Sequence, residues 1–393
     1  MFAPARGLPP ILALAPHAWD DRWLSRQQLL SRLAARGWPV WFSFGPLKPW
    51  DRGTLLWRSG SWLGGWRSAE NGVRVERPAR WLLRTPGRPR LERAVLDLHA
   101  RRLRQAVGEG EVILFLFHPQ FEPWIERVAP RWVVYHVYDV FDRMDDWTPA
   151  LNACQQRLVE RADLITAASP GMAACLPAPG CDKARRLPNG ADSRLFAEDR
   201  SPLPLELAGI PSPRIGYAGT INAKLDLEMI ATLAERHPEW SWVFVGPVML
   251  GGGRPRDRLA RAAWERALAL GNVHWIPSQP RERVPAFVRG MAVNLIPYRT
   301  GDDDWVGHGY PVKLHEYLAA GPPVVAGAQE VVKREFSNVA AIAETVEEWE
   351  QAIRHALENG GAAAPEQRRA VALANDWEQR ADQLDAWLRG MIR

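Results

Sequence analysis

Gly309-Tyr310-Pro311-Val312-Lys313-Leu314-His315-Glu316-Tyr317-Leu318-Ala319-Ala320-Gly321-Pro322-Pro323-Val324-Val325-Ala326 reads as a helix delivered into a buried strand. Pro311 suits a first helical turn, Gly321 a C-terminal cap, and the two prolines restart the chain into the apolar run 324–326. The start of such a helix is an anion site, because its free N–H groups and its dipole both favour a phosphate. Lys313 adds a mobile positive charge in the first turn. Glu316 follows three residues later on the same face, where a carboxylate can accept two hydrogen bonds from a ribose diol. The competing account is an ordinary amphipathic helix with a surface Lys–Glu pair; the Gly and Pro punctuation on both sides argues against it.

Outward from this stretch, short apolar runs alternate with amphipathic segments, the pattern of parallel sheets covered by helices. In the second half the spacing predicts strands over 215–217, 242–245, 273–276, 292–296 and 324–326, with helices over 225–236, 256–270 and 311–320. In the first half it predicts strands over 11–15, 40–44, 112–117, 132–138, 164–167 and 183–187, with helices over 25–36, 91–107 and 150–161. Pro202, Pro204, Pro211 and Pro213 punctuate the chain between the two series and suggest a linker near residue 205. Residues 363–393 are helical in pattern. Ile215-Gly216-Tyr217-Ala218-Gly219-Thr220, followed by Lys224, is a strand ending in glycines before a helix, which lets backbone N–H groups approach a pyrophosphate. Its glycine spacing departs from the dinucleotide fingerprint and argues against a redox cofactor.

Together these segments resemble the nucleotide-sugar glycosyltransferases of the GT-B fold, in particular bacterial polysaccharide-assembly enzymes with a C-terminal PxKLxEYLAxGxPVV segment. The resemblance implies an α/β chain of two Rossmann-like, doubly wound lobes facing each other across a cleft. On that reading residues 1–205 form the acceptor-binding lobe, 206–375 the donor-binding lobe, and 376–393 a C-terminal helix that can cross back to the first lobe. It further implies that Glu316 holds the ribose and that Gly309, Tyr310, Pro311, Val312 and Lys313 lie against the diphosphate and the transferred sugar. By the same resemblance Gly219, Thr220 and Lys224 would face the donor phosphates, with Gly246 ending the next strand beside them.

In the first half, Tyr135-His136-Val137-Tyr138-Asp139 resembles the YHxxD strand end of these enzymes. Inverting transfer needs a base to take the proton of the acceptor hydroxyl, and Asp139 is the candidate; with Asp142, Asp145 and Asp146 close by, a solvated acidic loop is the alternative. His17 and His118 also follow strands and, with His308, are secondary cleft candidates. Retaining members usually carry two glutamates eight positions apart, and His308 stands eight before Glu316, so retention lacks its signature here. Asp302-Asp303-Asp304 invites a metal reading, but three adjacent carboxylates need not converge on one ion. No essential metal and no cofactor are expected.

At 393 residues and 47% hydrophobic content the chain can bury two cores. Cys154, Cys175 and Cys181 show neither zinc nor disulfide spacing. The first apolar run is too short for a signal peptide and no stretch reaches bilayer length, so a cytoplasmic protein is expected, with the inner face of the cell membrane as an option. Residues 1–200 carry 29 Lys+Arg against 21 Asp+Glu, whereas the remainder carries 21 against 24. The basic excess gathers over 52–104, interleaved with Trp57, Trp62, Trp66 and Trp81, where an anionic membrane surface could be met. No nucleic-acid recognition module is legible. The expected function is hexosyl transfer from a nucleotide-diphosphate-sugar, most simply a UDP-sugar, to a hydroxyl of a glycan or lipid-linked acceptor in cell-surface polysaccharide or glycoconjugate synthesis. A nucleotide-sugar epimerase and a non-catalytic partner subunit are the alternatives.

Overall fold

The apolar runs become the central strands of two separate sheets. The computed structural model describes residues 7–393 apart from 21–22, 70, 144–146, 254, 300–306 and 308. It divides into two units: residues up to Pro188 together with Arg380–Arg393, and Asn189–Gln379.

The first unit holds β1 (Ile11–Leu14), β2 (Val40–Ser43), β3 (Gly65–Ser68), β4 (Arg74–Arg77), β5 (Ile113–Leu116), β6 (Trp132–Val137), β7 (Leu164–Ala167) and β8 (Arg185–Arg186), in the spatial order β3-β4-β2-β1-β5-β6-β7-β8. All neighbours are parallel except β3 and β4. β1, β2, β5, β6 and β7 are buried along their whole length, which is why they appear in the sequence as uninterrupted apolar runs rather than alternating ones. The β3/β4 hairpin is absent from the expectations. Its strands, GWRS and RVER, carry three arginines and a glutamate. The inward Glu76 is nevertheless satisfied by Ser43 and by His99, at 3.1 Å.

The second unit holds β9 (Arg214–Ala218), β10 (Ser241–Val245), β11 (Val273–Ile276), β12 (Val293–Ile296), β13 (Val324–Gly327) and β14 (Ala341–Ala343), in the order β11-β10-β9-β12-β13-β14, all parallel. One face is sealed by Trp242, Phe244, Trp264 and their neighbours, the other by Phe287, Leu314, Leu318 and theirs. Strand order reverses between β9 and β12 here and between β1 and β5 in the first unit, and ligands in open α/β sheets gather beyond the carboxyl ends of strands at such points.

The division falls at Pro188/Asn189 rather than near residue 205. The proline-rich stretch is not a free linker: Leu205–Ala208 is a helical turn, and Leu207 and Ile210 are buried in the second unit's core. The helix expected over 225–236 starts at Leu227, because Leu225 bridges Tyr298 and Asp226 caps the helix by accepting from the Met229 N–H at 3.1 Å. The C-terminal segment is two helices, Pro365–Ala374 and Trp377–Met391, and the division between the units falls within the second, after Gln379.

Candidate active site

In the second unit, the helix carrying the PVKLHEYLA stretch runs over Val312–Ala320, with Pro311 as its N-cap rather than inside its first turn and Gly321 as a left-handed C-cap. Tyr317 fastens it to the sheet: its hydroxyl accepts from the Ala218 N–H at 2.8 Å and donates to the Ala218 carbonyl at 3.1 Å. The helix N-terminus is thereby set beside the end of β9. Lys313 lies over Gly219, where an added Cβ would overlap its Cε and Nζ, and its ammonium stands 5.5 Å from the Tyr217 ring centre. Gly246 in turn closes on Gly219, whose carbonyl oxygen a Cβ at Gly246 would overlap. These two glycines are fixed by backbone approach, and Lys313 is delivered to the strand-end loop by it.

The loop edges are tied together. Gly219 N–H donates to Val245, Gly246 N–H to Ile276, Ile221 N–H to Pro247, and Arg299 N–H to the Lys224 carbonyl. Thr220, whose carbonyl accepts from the Tyr217 hydroxyl at 3.1 Å, and Lys224, whose N–H donates to Asn222 at 3.1 Å, are both partly exposed at this edge. Tyr310 is buried, with its hydroxyl 2.7 Å from His315 Nε2, and its carbonyl accepts from Asn189 at 3.2 Å. That fixes the stretch from Gly309 to Pro311 ahead of the helix.

Glu316 is partly buried. Burial pushes its carboxyl above the ordinary glutamate range, Lys313 and Arg281 pull it back, and Asp192 adds to the rise. Asp192 and Arg281 form an ion pair with each other. Neither was singled out in the sequence: each is a lone charge in a connecting segment, Asp192 ahead of Ser193–Ala197 and Arg281 after β11, 124 and 35 positions from Glu316. The structure therefore assembles Asp192, Arg281, Lys313 and Glu316 into one alternating set of charges. Such a set can offer cations to a diphosphate and a carboxylate to a diol.

In the first unit, His118 and Asp139 follow the neighbouring parallel strands β5 and β6, so they stand beyond the carboxyl ends of the strands. His118 accepts the Gln120 N–H on Nδ1 at 3.1 Å and packs edge-on against Phe141 at 4.7 Å, and Tyr138 packs edge-on against the same ring at 5.1 Å. Asp139 is partly buried and accepts the Val140 N–H at 3.0 Å. His17 follows β1 and is exposed. A cavity of about 30 Å³ opens beside these strand ends, lined by Pro16, Gly45, Lys48, Arg84, Gln120 and Trp124; that is room for a water or two and not for a sugar. His136, inside the same motif, belongs to the core: it is buried, hydrogen-bonded to Thr166 at 2.8 Å, and burial pushes its pKa down to about 3. His308 and Asp302-Asp303-Asp304, with Asp145 and Asp146, lie outside the described residues. Among the described residues no three His, Cys, Asp or Glu side chains gather as a metal site, and no helix is long and apolar enough to cross a membrane.

Residues 212–359, within the second unit, match the family of glycosyl transferases group 1 and form a domain of that kind. TuaH of Bacillus subtilis (strain 168), provisionally named a teichuronic acid biosynthesis glycosyltransferase, is 31% identical over 180 residues, covering 44% of this chain and 43% of its own length. The chain thus matches less than half of that relative. Among solved structures, sucrose-phosphate synthase from Thermosynechococcus elongatus superposes with a TM-score of 0.72 at 17% identity over 98% of this chain and 99% of that one. HepE of Anabaena, in complex with UDP and glucose, gives 0.70 at 14% identity over 97% and 99%. The fold is that of the GT-B glycosyltransferases.

Proposed function

We propose that this protein is a glycosyltransferase that takes a hexosyl group from a nucleotide-diphosphate-sugar, with UDP as the nucleotide, and passes it to a hydroxyl of a glycan or lipid-linked acceptor. The observation that carries the reading is the seating of Lys313 over Gly219 with Glu316 one turn further along the same helix. In this assignment the diphosphate lies against the Gly219 loop and the start of the Val312–Ala320 helix, where Lys313 and the helix dipole take up the charge that develops on the leaving nucleotide. Glu316, ionised, accepts the two ribose hydroxyls, and Arg281 and Asp192 hold the local charge in balance. The complexes of HepE with UDP and UDP-glucose support the donor class, and the teichuronic acid biosynthesis in the name of TuaH supports a role in cell-surface polysaccharide synthesis.

Asp139 serves as the base that takes the acceptor proton while the oxygen attacks the anomeric carbon and the nucleotide diphosphate departs, which inverts that carbon. NMR of the product anomer tests this: a retained configuration rules out the assignment. Because a lysine and a helix terminus stabilise the leaving group, transfer is expected to proceed without a divalent metal, and activity that survives a strong chelator checks it.

The deciding experiment is a ligand-induced thermal shift with UDP, GDP, dTDP and their sugars on wild type and Glu316→Ala. Binding to the folded state raises stability by mass action, about 2.7 kcal/mol at a hundredfold excess over Kd. A uridine-selective shift lost in Glu316→Ala is the expected result. No shift with any nucleotide, from folded protein, points instead to a non-catalytic partner subunit.

A further inference from the structure

The first unit carries one feature that sugar transfer does not use. Among its described residues the most exposed large apolar side chains are Leu63 at 72%, Trp62 at 70% and Trp50 at 63%, followed by Leu91 and Trp81. Apolar groups of this size are not normally left together in water. They are not scattered. Ser61 N–H donates to the Pro78 carbonyl and Arg80 N–H to the Ser61 carbonyl, joining the segment that ends in Trp62-Leu63 to the one that leads to Trp81. Arg102, on the Pro89–Val107 helix, donates to the Leu63 carbonyl at 2.8 Å and lies 6.0 Å from the Trp81 ring centre. Arg52 and Arg80 both lie 5.6 Å from the ring centre of Trp57. Three segments therefore present one continuous face.

Around that face the charge is one-sided. Residues 52–104 contain 13 arginines and four acidic residues. Of those four, Glu76 is buried, Glu92 is paired with Arg84 and Asp97 with Arg127. Arg90, Arg93 and Arg101 are exposed on the same helix that exposes Leu91 and Leu98. We infer that this face docks on an anionic lipid bilayer, with Trp62, Leu63 and Trp81 entering the headgroup–acyl boundary and the arginines bound to lipid phosphates. Trp and Arg suit that boundary because each joins an apolar body to a polar end. A single-stranded nucleic acid would also find rings and cations here, but it stacks on aromatic faces and gives no role to Leu63, Leu91 and Leu98. A second copy of the chain would set arginine against arginine. The inference does not depend on the donor chemistry proposed above.

Vesicle flotation of the whole protein tests it, using phosphatidylcholine alone and phosphatidylcholine mixed with phosphatidylglycerol. Wild type should float with the mixed vesicles, less so as salt rises, and little with phosphatidylcholine alone. Trp62→Ser/Leu63→Ser should lower partitioning at least about tenfold by removing apolar burial, and Arg90→Gln/Arg93→Gln/Arg101→Gln should abolish the preference for the anionic lipid. Both variants should keep the wild-type thermal shift with UDP, which verifies their fold and separates this inference from the donor assignment. Absence of wild-type flotation, flotation unchanged in both variants, a patch-dependent dimer in solution, or selective release by single-stranded DNA would each overturn the inference. Flotation that persists while no nucleotide shifts the protein would leave it standing and remove the donor reading alone.

Discussion

The two sheets reverse strand order in the same way yet equip the reversal point with different chemistry. In the second unit the edge is built from charge and close backbone approach: Lys313 pressed over Gly219, Gly246 against Gly219, and the alternating set Asp192, Arg281, Lys313 and Glu316. In the first unit it is aromatic, with His118 and Tyr138 each in edge-on contact with Phe141 and the carboxylate Asp139 partly buried after β6. A diphosphate needs fixed cations and N–H groups, whereas a sugar hydroxyl needs an apolar wall and one base. The contrast suggests that one unit sets donor affinity and the other the rate of the chemical step.

Substitutions can break that division of labour. Asp139→Asn should have the largest effect, lowering kcat by about 10²–10⁴-fold, as expected for loss of a general base, with donor Kd from calorimetry unchanged; a weakened Kd would mean the units are not separable in this way. Gly219→Ala should act in reverse, displacing Lys313 and weakening donor binding about 5- to 150-fold, the equivalent of about 1–3 kcal/mol of overpacking, while leaving acceptor dependence alone. Tyr317→Phe removes the hydroxyl that satisfies both polar groups of Ala218. It should destabilise the protein by about 1–3 kcal/mol in denaturant unfolding, and a smaller loss would mean that water replaces the hydroxyl.

The smallest effect is the most diagnostic of how the donor site is held. Burial raises the folded-state pKa of Glu316, so its contribution favours the fold below the unfolded carboxyl pKa and is lost as pH rises through the folded value. Above the folded value the ionised group is a burden on the unliganded protein. Glu316→Gln should therefore raise apo stability by about 1 kcal/mol or less, with the gain vanishing at acid pH, even as nucleotide binding is lost. A variant less stable than wild type at neutral pH would show that Arg281 and Lys313 outweigh burial.

Legibility followed locality. The Val312–Ala320 helix, its Gly321 cap and the strand that follows are consecutive, so their chemistry is readable from spacing. The parallel strands are readable because burial on both faces leaves them apolar throughout. Asp192 and Arg281 are not readable, since what makes them part of the site is proximity created by folding. The β3/β4 hairpin escapes for a related reason: Glu76 looks solvated in sequence and becomes inward-facing only because Ser43 and His99, 33 and 23 positions away, supply its partners. Proline density near 205 misleads because proline marks turns inside a core as readily as it marks linkers.

Where the chain enters and leaves the second unit it is held against itself. Ala191 bridges Asp376, Trp377 N–H donates to the Ala191 carbonyl, the Ser193 N–H donates to Asp376 at 2.9 Å, and Gly190 passes so close to Trp377 that a Cβ would lie 2.8 Å from its nitrogen. Topologically, 189–379 is thus a cassette with adjoining ends, spliced into a host whose two pieces are distant in sequence. Cassettes of that geometry tolerate excision and circular permutation, because closing their ends needs only a short tether. The unit 189–379 could accordingly be made alone, or begun at a surface loop of its own, and the proposed nucleotide ligands titrated with the other unit gone.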